Sequence, residues 1–150
     1  MLIEIVIFLA GLITFIYKSS FFWIRELFIN KNIHSNNIHN VNIKVSNTPD
    51  ELRRGLMFVK HLAENEGMLF KYANIGNHTF WMKNTYIPLD VIYFDKDSNV
   101  IGFIKDNQPH NLTIKGIDRE SKSFLEVNGG YINKNNVRVG DRFIFTSLNI

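Results

Sequence analysis

Phe80-Trp81-Met82-Lys83-Asn84-Thr85-Tyr86-Ile87-Pro88-Leu89-Asp90-Val91-Ile92-Tyr93-Phe94 strings aromatic rings, a thioether, a cation, an amide, a proline and a carboxylate together without a gap. Read with the period of two that a strand imposes, Phe80, Met82 and Asn84 share one face while Trp81, Lys83 and Thr85 share the other. Each face then carries both apolar bulk and a polar group, which suits a strand with one edge in a pocket. Pro88 cannot donate a ladder hydrogen bond and holds Ile87 extended, so this strand is expected to end or bend there. A second strand follows at once over 89–94.

Working outward, Asp95-Lys96-Asp97-Ser98-Asn99 is turn chemistry between that strand and an apolar run at 100–104, which reads as a hairpin. Further short β-rich runs lie at 68–72, 78–86, 112–117, 123–127 and 142–146, and Val41, Ile43 and Val45 alternate with polar residues as in a half-buried strand. Thr48 with Glu51 three residues on, Pro49 at the first helical position and Gly55 past the end give the start and stop signals of one short helix. A second helical turn is expected over 132–137. Closely spaced strands with one or two short helices predict a mainly β domain, a small antiparallel β-sandwich or barrel.

Residues 2–17 are apolar except for Glu4 and Thr14, with Lys18-Ser19-Ser20 closing the run. With Glu4 at the headgroups and Phe21-Phe22-Trp23-Ile24 at the interface, this length predicts a membrane helix whose partner is the lipid bilayer. No Lys or Arg precedes it and no Ala-x-Ala-like site follows, which favours a retained single-pass anchor over a cleaved signal peptide. The expected division is an anchor and interfacial segment over 1–29, a polar linker over 30–40 and a folded domain over 41–150. His34 and His39 fall on the linker side and read as solvated. Lys18, Arg25 and Lys31 after the helix argue for a cytoplasmic domain by the positive-inside rule.

Composition excludes several classes of function. The net charge of +3, spread over 150 residues without a Lys/Arg block, gives no electrostatic footprint for nucleic acid. The absence of cysteine removes disulfides, thiolate-bound metals and thiol catalysis. No HExxH, Ser-His-Asp order or phosphate-binding glycine loop is present. His61, His78 and His110 are isolated and read as surface or packing residues, and no cofactor is implied.

Arg54-Gly55-Leu56-Met57-Phe58, Glu66-Gly67-Met68-Leu69-Phe70, the run 80–90, Leu125-Glu126-Val127-Asn128-Gly129-Gly130 and Val139-Gly140-Asp141-Arg142 together closely resemble the prokaryotic family called domain of unknown function 192. The resemblance covers roughly 41–146. It implies a jelly-roll-like β-sandwich on proteins commonly exported or attached to the cell envelope, and no established activity. The loop Asn133-Lys134-Asn135-Asn136 departs from the small-residue turn usual there. Family habit places the domain on the extracytoplasmic side, against the charge rule, and is preferred here because a three-charge bias beside interfacial aromatics is a weak determinant.

The candidate ligand-binding set is Trp81, Lys83, Asn84, Asp90, Glu126 and Asn128. Asp90 shares its face with Ile92 and Phe94, so its carboxylate needs a partner, for which Lys83 or Arg142 is available. Glu126 lies opposite Leu125 and Val127 and points to solvent or a cavity. Three readings follow. The first is a membrane-anchored, non-catalytic module that binds a small molecule, glycan or peptide in a cleft edged by these residues. The second is an acid–base hydrolase using Asp90 and Glu126, with Lys83 assisting. The third is Cu(I) binding by Met57, Met68 and Met82, against which stands the use of methionine as core filler beside aromatic rings.

Overall fold

The computed structural model describes residues 37–148. Six strands, β1 (Ile38–Ser46), β2 (Glu66–Gly76), β3 (Leu89–Phe94), β4 (Val100–Asn107), β5 (Ser121–Asn128) and β6 (Arg142–Ser147), form one sheet in the order β4-β3-β5-β2-β1-β6. Two short helices, α1 (Pro49–Arg54) and α2 (Tyr131–Lys134), complete the regular structure of the described residues. Of the expected antiparallel sandwich or barrel, the structure has a single curled sheet nearer the barrel, and it is mixed and not antiparallel, because β1 runs parallel to both of its neighbours. A parallel pair needs a long crossover rather than a hairpin. Residues 47–65 supply it between β1 and β2, and carry Leu52, Leu56, Val59 and Leu62 onto one face of the sheet.

The sheet curls into a half-barrel. Asn99 bridges to Arg142, and the amides of Val100 and Phe143 donate to the carbonyls of Asp141 and Ser98 at 2.8 and 3.1 Å, drawing the β3–β4 turn onto the start of β6. Phe94 meets Phe143 and Phe145 edge-on at 5.1 and 5.4 Å, a contact between strands far apart in the sheet order. Side chains on the concave face, among them Val41, Ile43, Leu69, Ile92, Phe94, Leu125, Val127 and Phe143, make one core with Ile132 of α2. On the outer face Met68, Phe70, Val91, Tyr93 and Phe124 make a second, covered by Leu56 and by Phe80 and Met82 from the β2–β3 connection. With apolar clusters on both faces, β3 is buried at every position, which explains its unbroken apolar run around Asp90.

Two expected strands do not form. The 78–86 and 112–117 segments touch through the isolated Phe80–Lys115 bridge and the Met82-to-Asn111 amide bond, but Lys83 and Asn84 turn away. Asn84 sits at φ 53°, left-handed backbone that asparagine tolerates and a strand does not. The in–out alternation survives nonetheless, with Phe80 and Met82 buried and Trp81 and Lys83 exposed. The helix signals were sound: Thr48 and Glu51 form a reciprocal capping box around the start of α1.

Strand β1 begins at Ile38, so His39 is a strand residue and not a solvated linker residue. Its Nε2 lies 2.9 Å from Oδ2 of the fully buried Asp141, and its ring stacks on Phe143. Residues 2–17, where the anchor is expected, and His34 lie outside the described residues. Among the described residues no helix is long and apolar enough to cross a membrane.

Candidate functional site

The register between β3 and β5 pairs Asp90 with Val127 and Val91 with Glu126. Residues opposite one another across a ladder point to the same face, so Asp90 and Glu126 point to opposite faces. Asp90, on the concave side, is almost fully buried and accepts two backbone bonds at 2.9 Å, from Asp106 to Oδ1 and from Ile132 to Oδ2. The second bond caps α2, whose N-cap residue is Gly130, at φ 87° and without a side chain to do so. The expected ion pair with Lys83 is absent: Lys83 is exposed on the other side of the sheet, its Nζ 4.9 Å from the centre of the Trp81 ring. Nor does Asp90 border a cleft with Glu126, which removes the paired-carboxylate arrangement that a hydrolase of this kind requires on one bond.

Glu126 lies at the inner end of a cavity of about 120 Å³ in the outer face. Phe70, Tyr72, Phe80 and Phe124 supply aromatic walls, Gly55, Leu56 and Met57 another side, and the exposed Arg53, Arg54 and Trp81 the outer end. Four of the five motifs that carry the family resemblance meet here. Gly55 has φ 48°, and a Cβ at that position would stand 2.8 Å from Phe70 and 3.8 Å from Oε2 of Glu126. The chain therefore needs glycine to turn this tightly over the cavity.

The Glu126 side chain is only 6% exposed, and among the described residues it has no hydrogen bond or ion pair. Burial alone pushes its carboxyl up to about 8, so the group is largely protonated at neutral pH. Its neighbours titrate out of range. Desolvation and then the Glu126 charge push the Tyr72 hydroxyl up to about 12, and Tyr93 moves in the same direction by burial first, with Tyr72 and Glu126 adding. The Tyr93 hydroxyl is also buried without a hydrogen-bond partner.

A shallower basin of about 360 Å³ adjoins the cavity, sharing Arg53, Arg54, Met57 and Trp81 with it and adding Asp50, Lys83 and Asn84. The amide of Asn84 has no partner among the described residues. Trp81, Lys83, Asn84 and Glu126 are therefore brought together, while Asp90 is not. Asn128 is not a cleft residue either: its Nδ2 donates to the carbonyls of Leu62 and Ala63 at 2.9 and 3.1 Å and fastens the crossover to β5. Met68 and Met82 are packed in the outer apolar cluster, and Met57 stands at the cavity wall. His61 and His110 are exposed, and His78 stacks on Tyr72. No group of three His, Asp or Glu residues suited to a metal occurs among the described residues.

Arg53, Arg54, Tyr72 and Tyr93 were missed by the sequence reading. A tandem arginine just before the Gly-Leu-Met turn was the available signal for the first two. Nothing local marks the tyrosines, which reach the site only because β2, β3 and β5 are neighbours.

No curated protein matches the chain. Two solved structures resemble it, each with a TM-score of 0.65 over 67% of the chain. One is described as a candidate transcription regulator from Sinorhizobium meliloti, 30% identical, with 78% of that chain covered. The other is a protein of unknown function from Novosphingobium aromaticivorans, 33% identical, with 71% of that chain covered. The model of DUF192, described as an uncharacterised ACR, matches residues 30–145, reaching ahead of β1 and spanning all five motifs, and the chain belongs to that family.

Proposed function

We propose that the domain is a non-catalytic binding module, held at the extracytoplasmic face of a membrane through residues 2–17, whose small-molecule, glycan or peptide ligand inserts one group beside Glu126 and lays the rest across Trp81. The observation that carries this reading is the buried carboxyl of Glu126 without a partner. A carboxyl so deeply desolvated gains more than an exposed one from a ligand group that hydrogen-bonds or ion-pairs with it. The aromatic walls supply contact area, and Lys83 and Asn84 supply polar groups at the outer basin, the usual division of labour in a small-ligand site. Catalysis is disfavoured because among the described residues no second carboxyl lines the cavity, Asp50 standing only in the outer basin, and copper because Met68 and Met82 are committed to packing.

A thermal-shift screen on the full chain tests the reading, since a ligand specific to the folded state raises the melting temperature by mass action. At least one ligand is expected to shift the wild type, with the shift reduced in Glu126→Gln and in Trp81→Ala. Ligand shifts that survive both substitutions unchanged, or a screen of neutral, cationic and anionic compounds with no shift at all, would sink it.

A further inference from the structure

The charges of this site are arranged in an unexpected order. A carboxyl sits at the closed end among aromatic rings, while at the open end the cations Arg53, Arg54 and Lys83 stand with one acid, Asp50, whose Oδ1 lies 3.4 Å from Nη1 of Arg53, so that end keeps a net positive charge. An anionic ligand would be drawn to the outer cations but would meet an acid inside. A simple cation would suit the aromatic interior but would have to pass an outer basin of net positive charge.

We propose that the ligand is zwitterionic: an organic ammonium group enters the aromatic cavity beside Glu126, and an anionic group a few bonds away, such as a phosphate, stays in the outer basin against Arg53, Arg54 and Lys83. This rests on reading the Glu126 cavity as the ligand site and names the chemistry of its occupant. Aromatic faces attract alkylammonium cations electrostatically, and a cage of several rings with a carboxylate is an established way of holding them. Size agrees. A cavity of about 120 Å³ is somewhat smaller than the roughly 150 Å³ cavity that accepts benzene, and so takes a compact head group and not a whole sugar. The inner wall also offers too few hydrogen-bonding groups for a polyol: Glu126, Tyr72 and the two threonines Thr79 and Thr85.

Entry of the cation brings a positive charge beside a carboxyl that is otherwise protonated, so Glu126 ionises and one proton passes to the buffer. Of the groups around it, Tyr72 and Tyr93 are raised away from this range, Arg53 and Arg54 stand at the outer end, and Asp50 and Lys83 lie in the outer basin. Affinity for an ammonium ligand should therefore rise by about tenfold per pH unit up to about 8 and level off above it.

Isothermal titration of the full chain in a maltoside detergent, with phosphocholine as the probe and tetramethylammonium, inorganic phosphate and N-acetylglucosamine as comparators, tests this. Phosphocholine is expected to bind more tightly than either of its halves, to release a proton near neutral pH, and to lose about tenfold or more in affinity with Glu126→Gln. That variant keeps the shape of the side chain and removes only its ionisation, and folding is checked separately by melting. Dihexanoyl phosphatidylcholine below its micelle concentration separates the two sources of such a group, binding more tightly than phosphocholine if the ligand is a lipid headgroup and no better if it is a free metabolite. Phosphocholine affinity unchanged in Glu126→Gln, or independent of pH, overturns the proposal. Binding of the neutral sugar alone overturns the ammonium assignment and leaves the binding-module reading standing, whereas no binding by any probe removes the support for both.

Discussion

Asp90 and Glu126 occupy adjacent register positions on neighbouring strands, and both are almost completely buried. Asp90 faces the concave core, where two backbone amides meet its oxygens. Glu126 faces the outer cavity, where no described residue meets it. The first is a carboxylate used as a fastener, closing α2 and the end of β4 onto β3. The second is strongly desolvated in a cavity wall, an arrangement that is retained where a site needs the group for something other than stability. Two acids that look alike in sequence are thus separated by which face of a strand each occupies.

The sharpest way to break this comparison is Asp90→Ala, which leaves two amides without their acceptor. With bonds to a charged group worth about 1.5–3 kcal/mol each, a loss of about 3–6 kcal/mol in stability is expected by denaturant titration. A cost below about 1 kcal/mol would mean that the two bonds do not fasten the fold.

Glu126→Gln should act in the other direction. Burial raises the folded-state pKa above the unfolded value, so the folded protein keeps a proton that the unfolded chain has lost. Stability contributed by this group is therefore full below about 4.5 and declines as pH rises to about 8. The substitution is expected to be nearly neutral at low pH and to stabilise by about 2–4 kcal/mol at alkaline pH, read from melting curves at both ends of that window. Destabilisation at high pH would show that the ionised carboxylate has a partner after all.

Met82 lies on the Glu126 side, 1% exposed in the outer cluster. Met82→Leu preserves its volume and should cost less than about 1.5 kcal/mol, without changing ligand shifts by more than the change in stability explains. Tight Cu(I) binding lost in this variant, with the fold intact, would instead assign the sulfur a ligand role.

The smallest effect is expected at Lys83. Its exposure and its contact with Trp81 predict that Lys83→Met changes stability by less than about 0.5 kcal/mol and adds to Asp90→Ala without coupling, as separated residues do. A double-mutant coupling above about 1 kcal/mol would restore the ion pair that the structure disallows.

Much of the local structure was legible because it is governed by neighbours in sequence. The capping box at Thr48 and Glu51, the Asp95–Asn99 hairpin turn and the strand over 89–94 each follow from chemistry within a few residues. The 78–86 segment was misread because alternation between buried and exposed side chains was taken for a strand. Here alternation comes from lying extended over a covered face, and few of its amides find a ladder. His39 was misread for the opposite reason: Asn-rich surroundings look like a linker, and only pairing with β6 buries the ring.

By itself the sequence determined the mainly β character, the short capped helix and the alternation of side chains along the strands, because each depends on local geometry or on a period of two. Tertiary structure alone decided that one mixed sheet curls into a half-barrel, that Asp90 is satisfied by backbone from β4 and α2, and that Glu126, Arg53, Arg54 and Tyr72 gather around a cavity. Strand order and parallel pairing bring together residues far apart in the chain, and the energies that select them come from burial shared across the whole sheet. No single segment carries them.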